Sequence, residues 1–234
     1  LPSTSDLVRA RATAGEPEGL AVLARRQTQG RGSRGRAWST PAGNLALSVL
    51  LRPQIPLREA ARLSLLAGVA LAEAIATLLP PGPTLALKWP NDLMLNGEKL
   101  AGILLESHGD GAGGLAWAIP GIGVNLAHAP ILPDRIAARL ADHIPPPTPE
   151  AFAPLLLDRL FHWCAVLQTH GFPPVGKAWL AHAQPLGSQM SLKLGSDVLH
   201  GTFSGLDDDG SLLLTIAGTL RRFTTGEVLT PNQP

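Results

Sequence analysis

The segment Arg25-Arg26-Gln27-Thr28-Gln29-Gly30-Arg31-Gly32-Ser33-Arg34-Gly35-Arg36-Ala37-Trp38 holds five arginines, three glycines and no acid. Guanidinium groups offer forked N–H donors that match carboxylate and phosphate oxygens, and glycine lets a backbone turn and approach a ligand closely. The composition points to a cradle for a small anion. An Arg-Gly tract also binds RNA in other settings, but this one is short, has no interleaved aromatic residues and runs straight into an apolar strand at Asn44 to Leu51. The ordered anion site is the stronger reading.

Two further blocks place polar residues at strand ends. Lys88-Trp89-Pro90-Asn91-Asp92-Leu93 falls where an apolar run meets a proline, which cannot continue a sheet ladder. Gly97-Glu98-Lys99-Leu100-Ala101-Gly102-Ile103-Leu104 returns at hairpin distance with Lys99 at its mouth, so two lysines and one aspartate can converge. An ordinary surface Lys–Asp pair would read the same way. In Gly121-Ile122-Gly123-Val124-Asn125-Leu126, glycines replace side chains on one strand face and leave room for something flat, and Asn125 can read an adenine-like edge. Close backbone packing explains those glycines equally well. Asp207-Asp208-Asp209 has no fourth ligand at calcium-loop spacing and reads as a solvated turn, so no metal site is expected there. The seven histidines read as ordinary surface or core residues.

These blocks need a frame to hold them. Ser3 to Ala14 starts with cap residues and continues at helical spacing. Apolar runs at Leu20 to Ala24, Leu45 to Leu51, Thr84 to Trp89, Leu100 to Glu106 and Leu115 to Leu126 read as strands of one mixed sheet. Helices are predicted at Leu57 to Leu79, Asp134 to Asp142, Pro149 to His170 and Pro174 to Ala183. The class is α+β. Past Pro185 the chain turns to short β runs at Met190 to Leu194, Val198 to Leu206, Ser211 to Ile216 and Leu220 to Thr224, within a small barrel reaching Thr230. We therefore divide the chain into residues 1–185, carrying the chemistry, and 186–234, a β-barrel too small to stand alone.

With 234 residues, of which 45% are hydrophobic, the chain can bury a full core. A net charge of +1 gives no general pull on nucleic acid or acidic membranes, so any polyanion contact is local. The single Cys164 excludes an internal disulfide framework, reads as a buried helix residue and fits a cytoplasmic protein. Leu63 to Leu79 carries Ser64, Gly68, Glu73 and Thr77 and reads as a core helix, not a membrane span. No secretion signal opens the chain.

Taken in order, Ser3-Thr4-Ser5, Gln27 to Trp38, Lys88 to Leu93, Lys99 to Leu104 and Gly121 to Asn125 resemble the motif series of the biotin protein ligase family. The resemblance covers nearly the whole chain. It implies a class II synthetase-like sheet followed by an SH3-like barrel, and a ligase that makes an amide bond. Ser3, Thr4 and Ser5, with Gln27, would contact the biotin ring. Gly30, Arg31, Gly32, Ser33, Lys99 and Gly102 would complete the biotin site, Arg31 and Lys99 holding the carboxylate. Arg34, Arg36 and Lys88 would face phosphates, Trp38 would cover the ligand or adenine, and Asn125 would read adenine. Asn91 and Asp92 would support the nucleotide, its Mg²⁺ or the acceptor lysine, placing Arg31, Lys88, Lys99 and Asp92 at the chemical step. Ser5 stands where many members have Asn, and Ser33 where many have a further Arg.

The implied chemistry has two steps. A carboxylate is a poor electrophile, so biotin attacks the α-phosphorus of ATP to give biotinyl-5'-AMP and pyrophosphate, and the acceptor lysine then displaces AMP. Both steps crowd negative charge, which fixed cations and Mg²⁺ must offset. The implied acceptor is the biotin carboxyl carrier protein of acetyl-CoA carboxylase. With no helix-turn-helix ahead of Ser3, no DNA partner is expected, nor a membrane partner, and the resemblance leaves room for a homodimer. A lipoate ligase is the nearest rival, and an RNA-binding module the rival from another class.

Overall fold

The computed structural model describes residues 1–131 and 136–229. Helix α1 (Thr4–Thr13) is capped by Ser3, whose hydroxyl accepts from the Asp6 N–H at 3.4 Å. Asp6 in the first turn complements the positive helix end. Val8 and Ala12 bury the inner face of α1 against Leu50, Trp117 and Ile119, which lays the helix on one side of a sheet.

That sheet has six strands: β1 (Ala21–Leu23), β2 (Leu45–Val49), β3 (Leu85–Lys88), β4 (Asp92–Leu95), β5 (Glu98–Gly109) and β6 (Leu115–Val124). Their order is β1-β2-β6-β5-β4-β3, and every ladder is antiparallel. Parallel pairing is confined to isolated bridges, Leu87 with Ala183 and Lys99 with Ala137. The expected mixed sheet is corrected accordingly: β3 to β6 follow one another through short turns, which can join only antiparallel neighbours.

The opposite face is covered by α2 (Arg62–Ala76), with α3 (Pro149–His170) and α4 (Phe172–His182) packed on it. Buried on all sides from Leu63 to Ala72, α2 has the all-round apolar character of a central core helix. Among the described residues, no helix is long and apolar enough to cross a membrane. The helix expected from Leu57 to Leu79 is shorter, because Leu57–Glu59 forms a separate tight turn closed by the Ala60 N–H on the Leu57 carbonyl. The helix expected at Asp134 to Asp142 begins outside the described residues. Its described part is instead tied to the sheet, with the Ala138 and Leu140 N–H groups donating to the Lys99 and Asn125 carbonyls, and only Leu140–Asp142 turns. Strand partners outcompete a local helix there.

The C-terminal β domain has five strands: β7 (Gln189–Leu194), β8 (Asp197–Leu206), β9 (Leu212–Ile216), β10 (Thr219–Phe223) and β11 (Glu227–Leu229), ordered β10-β9-β8-β7-β11. This is one strand more than the sequence suggested. Thr230, the expected end of the region, lies outside the described residues. Phe203, Leu212, Leu214 and Phe223 are buried between the strands. Asp207 and Asp209 are not simply solvated, because Arg222 on β10 pairs with both.

Candidate active site

Backbone bonds bring the start of the chain to the start of the Arg-Gly loop: the Thr28 N–H donates to the Leu1 carbonyl at 3.1 Å and the Gln29 N–H to the Pro2 carbonyl at 2.8 Å. Gln27 is thereby set against α1. Its Oε1 accepts from the Thr4 N–H at 2.8 Å and the Thr4 hydroxyl at 3.1 Å, while its Nε2 donates to Thr40 Oγ1 at 3.2 Å. The hydroxyls of Thr4 and Ser5 meet Ser48 of β2 at 2.8 and 3.0 Å. Ser3, Thr4, Ser5 and Ser48 are all buried. A methyl at position 121 would stand 2.7 Å from Ser5 Oγ, so glycine there is what admits the cluster. Fixed, buried neutral donors and acceptors suit an uncharged polar ring.

Gly102 of β5 and Gly123 of β6 face each other in register. A methyl on Gly123 would collide with the indole of Trp38, and one on Gly102 would lie 3.3 Å from it. The flat group that the glycines accommodate is the chain's own Trp38. Lys99 Nζ sits 5.7 Å from the indole centroid, within cation–π range. Gly30 closes the loop by accepting from the Trp38 N–H at 2.9 Å.

Lys88 and Asp92 are paired across the β3–β4 turn, and Asp92 also takes the Lys99 ammonium. The surface-pair reading is overturned, since Asp92 is only 9% exposed. Burial alone would raise its carboxyl, but Lys99 and Lys88 hold it below the usual range. Burial pushes the Lys88 ammonium down, against the pull of Asp92. Arg34, whose backbone adopts φ 60°, and Arg36 both pair with Glu227 of β11, at 2.6 and 3.1 Å, and Lys88 Nζ donates to the Val228 carbonyl at 3.2 Å. Burial would raise Glu227, and Arg36 and Arg34 bring it low. Arg31 grips Asp6 through both terminal nitrogens, at 2.7 and 2.8 Å, and Glu106 at 3.2 Å.

Three cavities meet here. The first, about 40 Å³, is bounded by Ser3, Thr4, Ser5 and Gln27 at one end, by Arg31, Gly32 and Lys99 at the other, and by Trp38 and Gly102 along its floor. The second, about 220 Å³, lies between Arg34, Arg36, Lys88 and Asp92 on one side and Thr224 to Glu227 on the other. The third, about 420 Å³, runs between Ser64, Leu105 and Gly210. Ser33 and Asn91 line all three. Asn91 is fixed by donating to the Ile103 carbonyl at 2.7 Å. Asn125 lies outside these cavities: its Nδ2 donates to the Ala138 carbonyl at 3.0 Å, and its buried Oδ1 has no hydrogen-bond partner among the described residues.

Sequence reasoning missed Ser48, Asp6, Glu106 and Glu227. Only Asp6 had a signal, as an acid at the third position after a capping serine.

A small polar cavity with Arg31 and Lys99 in its wall, and a larger cationic cavity beside it, make a site suited to an acid set against a phosphate-bearing partner. The chain belongs to the biotin/lipoate A/B protein ligase family, which residues 1–125 match, and residues 186–229 match the biotin protein ligase C terminal domain. It is 46% identical over 204 residues to a biotin–[acetyl-CoA-carboxylase] ligase of Paracoccus denitrificans, covering 82% of each chain. It is 32% identical to the bifunctional ligase/repressor BirA of Bacillus subtilis, covering 97% of this chain and 71% of that one. The biotin protein ligase of Aquifex aeolicus, solved in complex with biotin and ATP, superposes with a TM-score of 0.79 at 26% identity, over 99% of this chain and 95% of that one.

Proposed function

We propose that this biotin protein ligase uses ATP to activate biotin and transfers it to a lysine, the three reactants entering the three cavities that share Ser33 and Asn91. The meeting of those cavities carries the reading. The relatives named above and the matched C-terminal domain weigh against the lipoate alternative.

In this reading, Ser3, Thr4, Ser5 and Gln27 hold the ureido ring, whose N–H and C=O groups complement their neutral hydroxyl and amide network. Arg31 and Lys99 take the carboxylate beside Gly30, Gly32, Ser33 and Gly102. Arg34, Arg36 and Lys88 offset phosphate charge as the carboxylate approaches the α-phosphorus. Asn125, expected to read adenine, is buried outside these cavities and makes no ligand contact in this reading. Asn91 orients the acceptor amine, and Asp92, whose lowered carboxyl makes it a weak base, steers the amine while keeping both lysines in place. Trp38 leaves its slot when the ring enters, because about 40 Å³ has room for only a few waters.

Among the described residues, no group of three acidic, histidine or cysteine side chains is placed to cage a metal. Mg²⁺ brought with the triphosphate would add charge neutralisation, and Asp92 and Glu227 are the carboxylates lining that cavity that would hold it. We assign the chemistry to residues 1–185 and the closing of the phosphate cavity to the barrel, and take the biotin carboxyl carrier protein of acetyl-CoA carboxylase as acceptor in the cytoplasm.

The test is exchange of labelled pyrophosphate into ATP with biotin or lipoate supplied, followed by mass spectrometry of the carrier protein. Exchange with biotin and a single modified lysine is expected. Exchange supported by lipoate alone, or salt-sensitive RNA binding without exchange, would replace the reading.

A further inference from the structure

The charges around the three cavities are not evenly balanced. Lys88 and Lys99 share one carboxylate, Asp92, and Arg34 and Arg36 share Glu227, so each of these clusters keeps one positive charge in surplus. Around Arg31, which lines the first cavity, the count differs. Arg9 and Arg31 face Asp6 and Glu106, each arginine pairing with both acids, and no surplus remains.

Arg31 is also held in the geometry that a substrate carboxylate would want. Both oxygens of Asp6 take both terminal nitrogens in a forked pair, the strongest arrangement a guanidinium makes. The hydrogen bond from Arg31 holds the Asp6 carboxyl below its usual range, so the acid stays ionised in this pair. Among the described residues, the side-chain hydrogen bonds of Arg31 all run through Nη1 and Nη2. An incoming acid therefore meets a guanidinium whose fork is already filled. Asp6 stands one residue beyond Ser3-Thr4-Ser5, so the pair also ties the ring end of the cavity to the Arg-Gly loop.

We infer that Asp6 is an internal carboxylate that occupies Arg31 in the empty enzyme and is exchanged for the carboxylate of the incoming acid. The inference rests on the biotin site proposed above. Glu106 is the secondary holder, keeping one contact to the same guanidinium during the exchange. The empty loop is thus folded by a group that the substrate must outcompete, and the affinity measured for the acid is the difference between two carboxylates on one arginine.

Calorimetric titration separates this from a purely structural role for Asp6. The unaltered protein, D6N and E106Q are each titrated with biotin and with its alcohol analogue, in which CH2OH replaces the carboxylate. D6N should bind biotin at least about threefold tighter, the size of a partly exposed ion pair, while its affinity for the alcohol stays unchanged. E106Q should move the same way by less. Circular dichroism checks the fold, and should D6N lose it, E106Q on β5 carries the test. Unchanged or weaker binding of the acid overturns the inference, as does equal tightening for acid and alcohol. If the unaltered protein binds neither compound, the functional reading fails and takes the inference with it.

Discussion

The two ends of the proposed site offer opposite means of recognition. At the ring end, Thr4, Ser5, Gln27 and Ser48 form a buried network of neutral hydrogen bonds between α1, the loop and β2, all within the six-stranded region. At the cationic end, Arg34 and Arg36 remain partly solvated while Lys88 is largely buried, and their partners Glu227 and Val228 come from the other domain. A neutral group is read by donors that cannot rearrange, which is worth most where water is excluded. A multiply charged group is met by side chains that already hold a weaker anion and can trade it. Selectivity should therefore sit at the first end, and response to ionic conditions at the second.

Lys99 serves both ends, so Lys99→Ala should erase the contrast and do the most damage. Biotin-dependent pyrophosphate exchange should fall about 10²- to 10³-fold in kcat/KM, with the circular dichroism spectrum retained because Asp92 keeps Lys88. Arg36→Ala should strike one end only, raising KM for ATP about tenfold and leaving biotin affinity in place. In the unaltered protein, added salt should likewise raise KM for ATP and leave biotin binding almost flat. A parallel loss of both affinities would mean the ends are not separate. Thr4→Val is the converse test: biotin should bind about fivefold more weakly, the cost of one network hydrogen bond, at constant KM for ATP. The smallest effect concerns pH. Because burial pushes the Lys88 ammonium below its ordinary range, raising the pH removes a positive charge from the phosphate cavity early. KM for ATP should begin to climb before an exposed lysine would titrate, and Lys88→Arg should shift that rise to higher pH.

The same contrast explains what the sequence made legible. Local composition marked the Arg-Gly loop, and resemblance marked Ser3 to Ser5 and the Lys88 to Asp92 block, because each is contiguous. The glycines of β6 announced a flat occupant but could not say that it was Trp38, which sits on another segment. Arg34 and Glu227 are 193 residues apart, and nothing in the local pattern around Glu227 distinguishes it from a surface acid. The helix expected near Leu140 failed for a related reason: backbone bonds to Lys99 and Asn125 are tertiary and leave no periodic trace. Charge balance at Arg31 was unreadable too, since it depends on four side chains from α1, the loop and β5.

Trp89 stands between Lys88 and Asn91, to which we assign the phosphate and the acceptor amine, and its indole N–H reaches the Gly210 carbonyl at 3.1 Å in the turn between β8 and β9. It is 4% exposed. Cutting away the last fifty residues would thus do more than remove a neighbour. It would leave an indole donor facing water next to Lys88 and Asn91. A version cut there should be inert, because Thr224 to Glu227 form one side of the cationic cavity and the second domain is part of its wall.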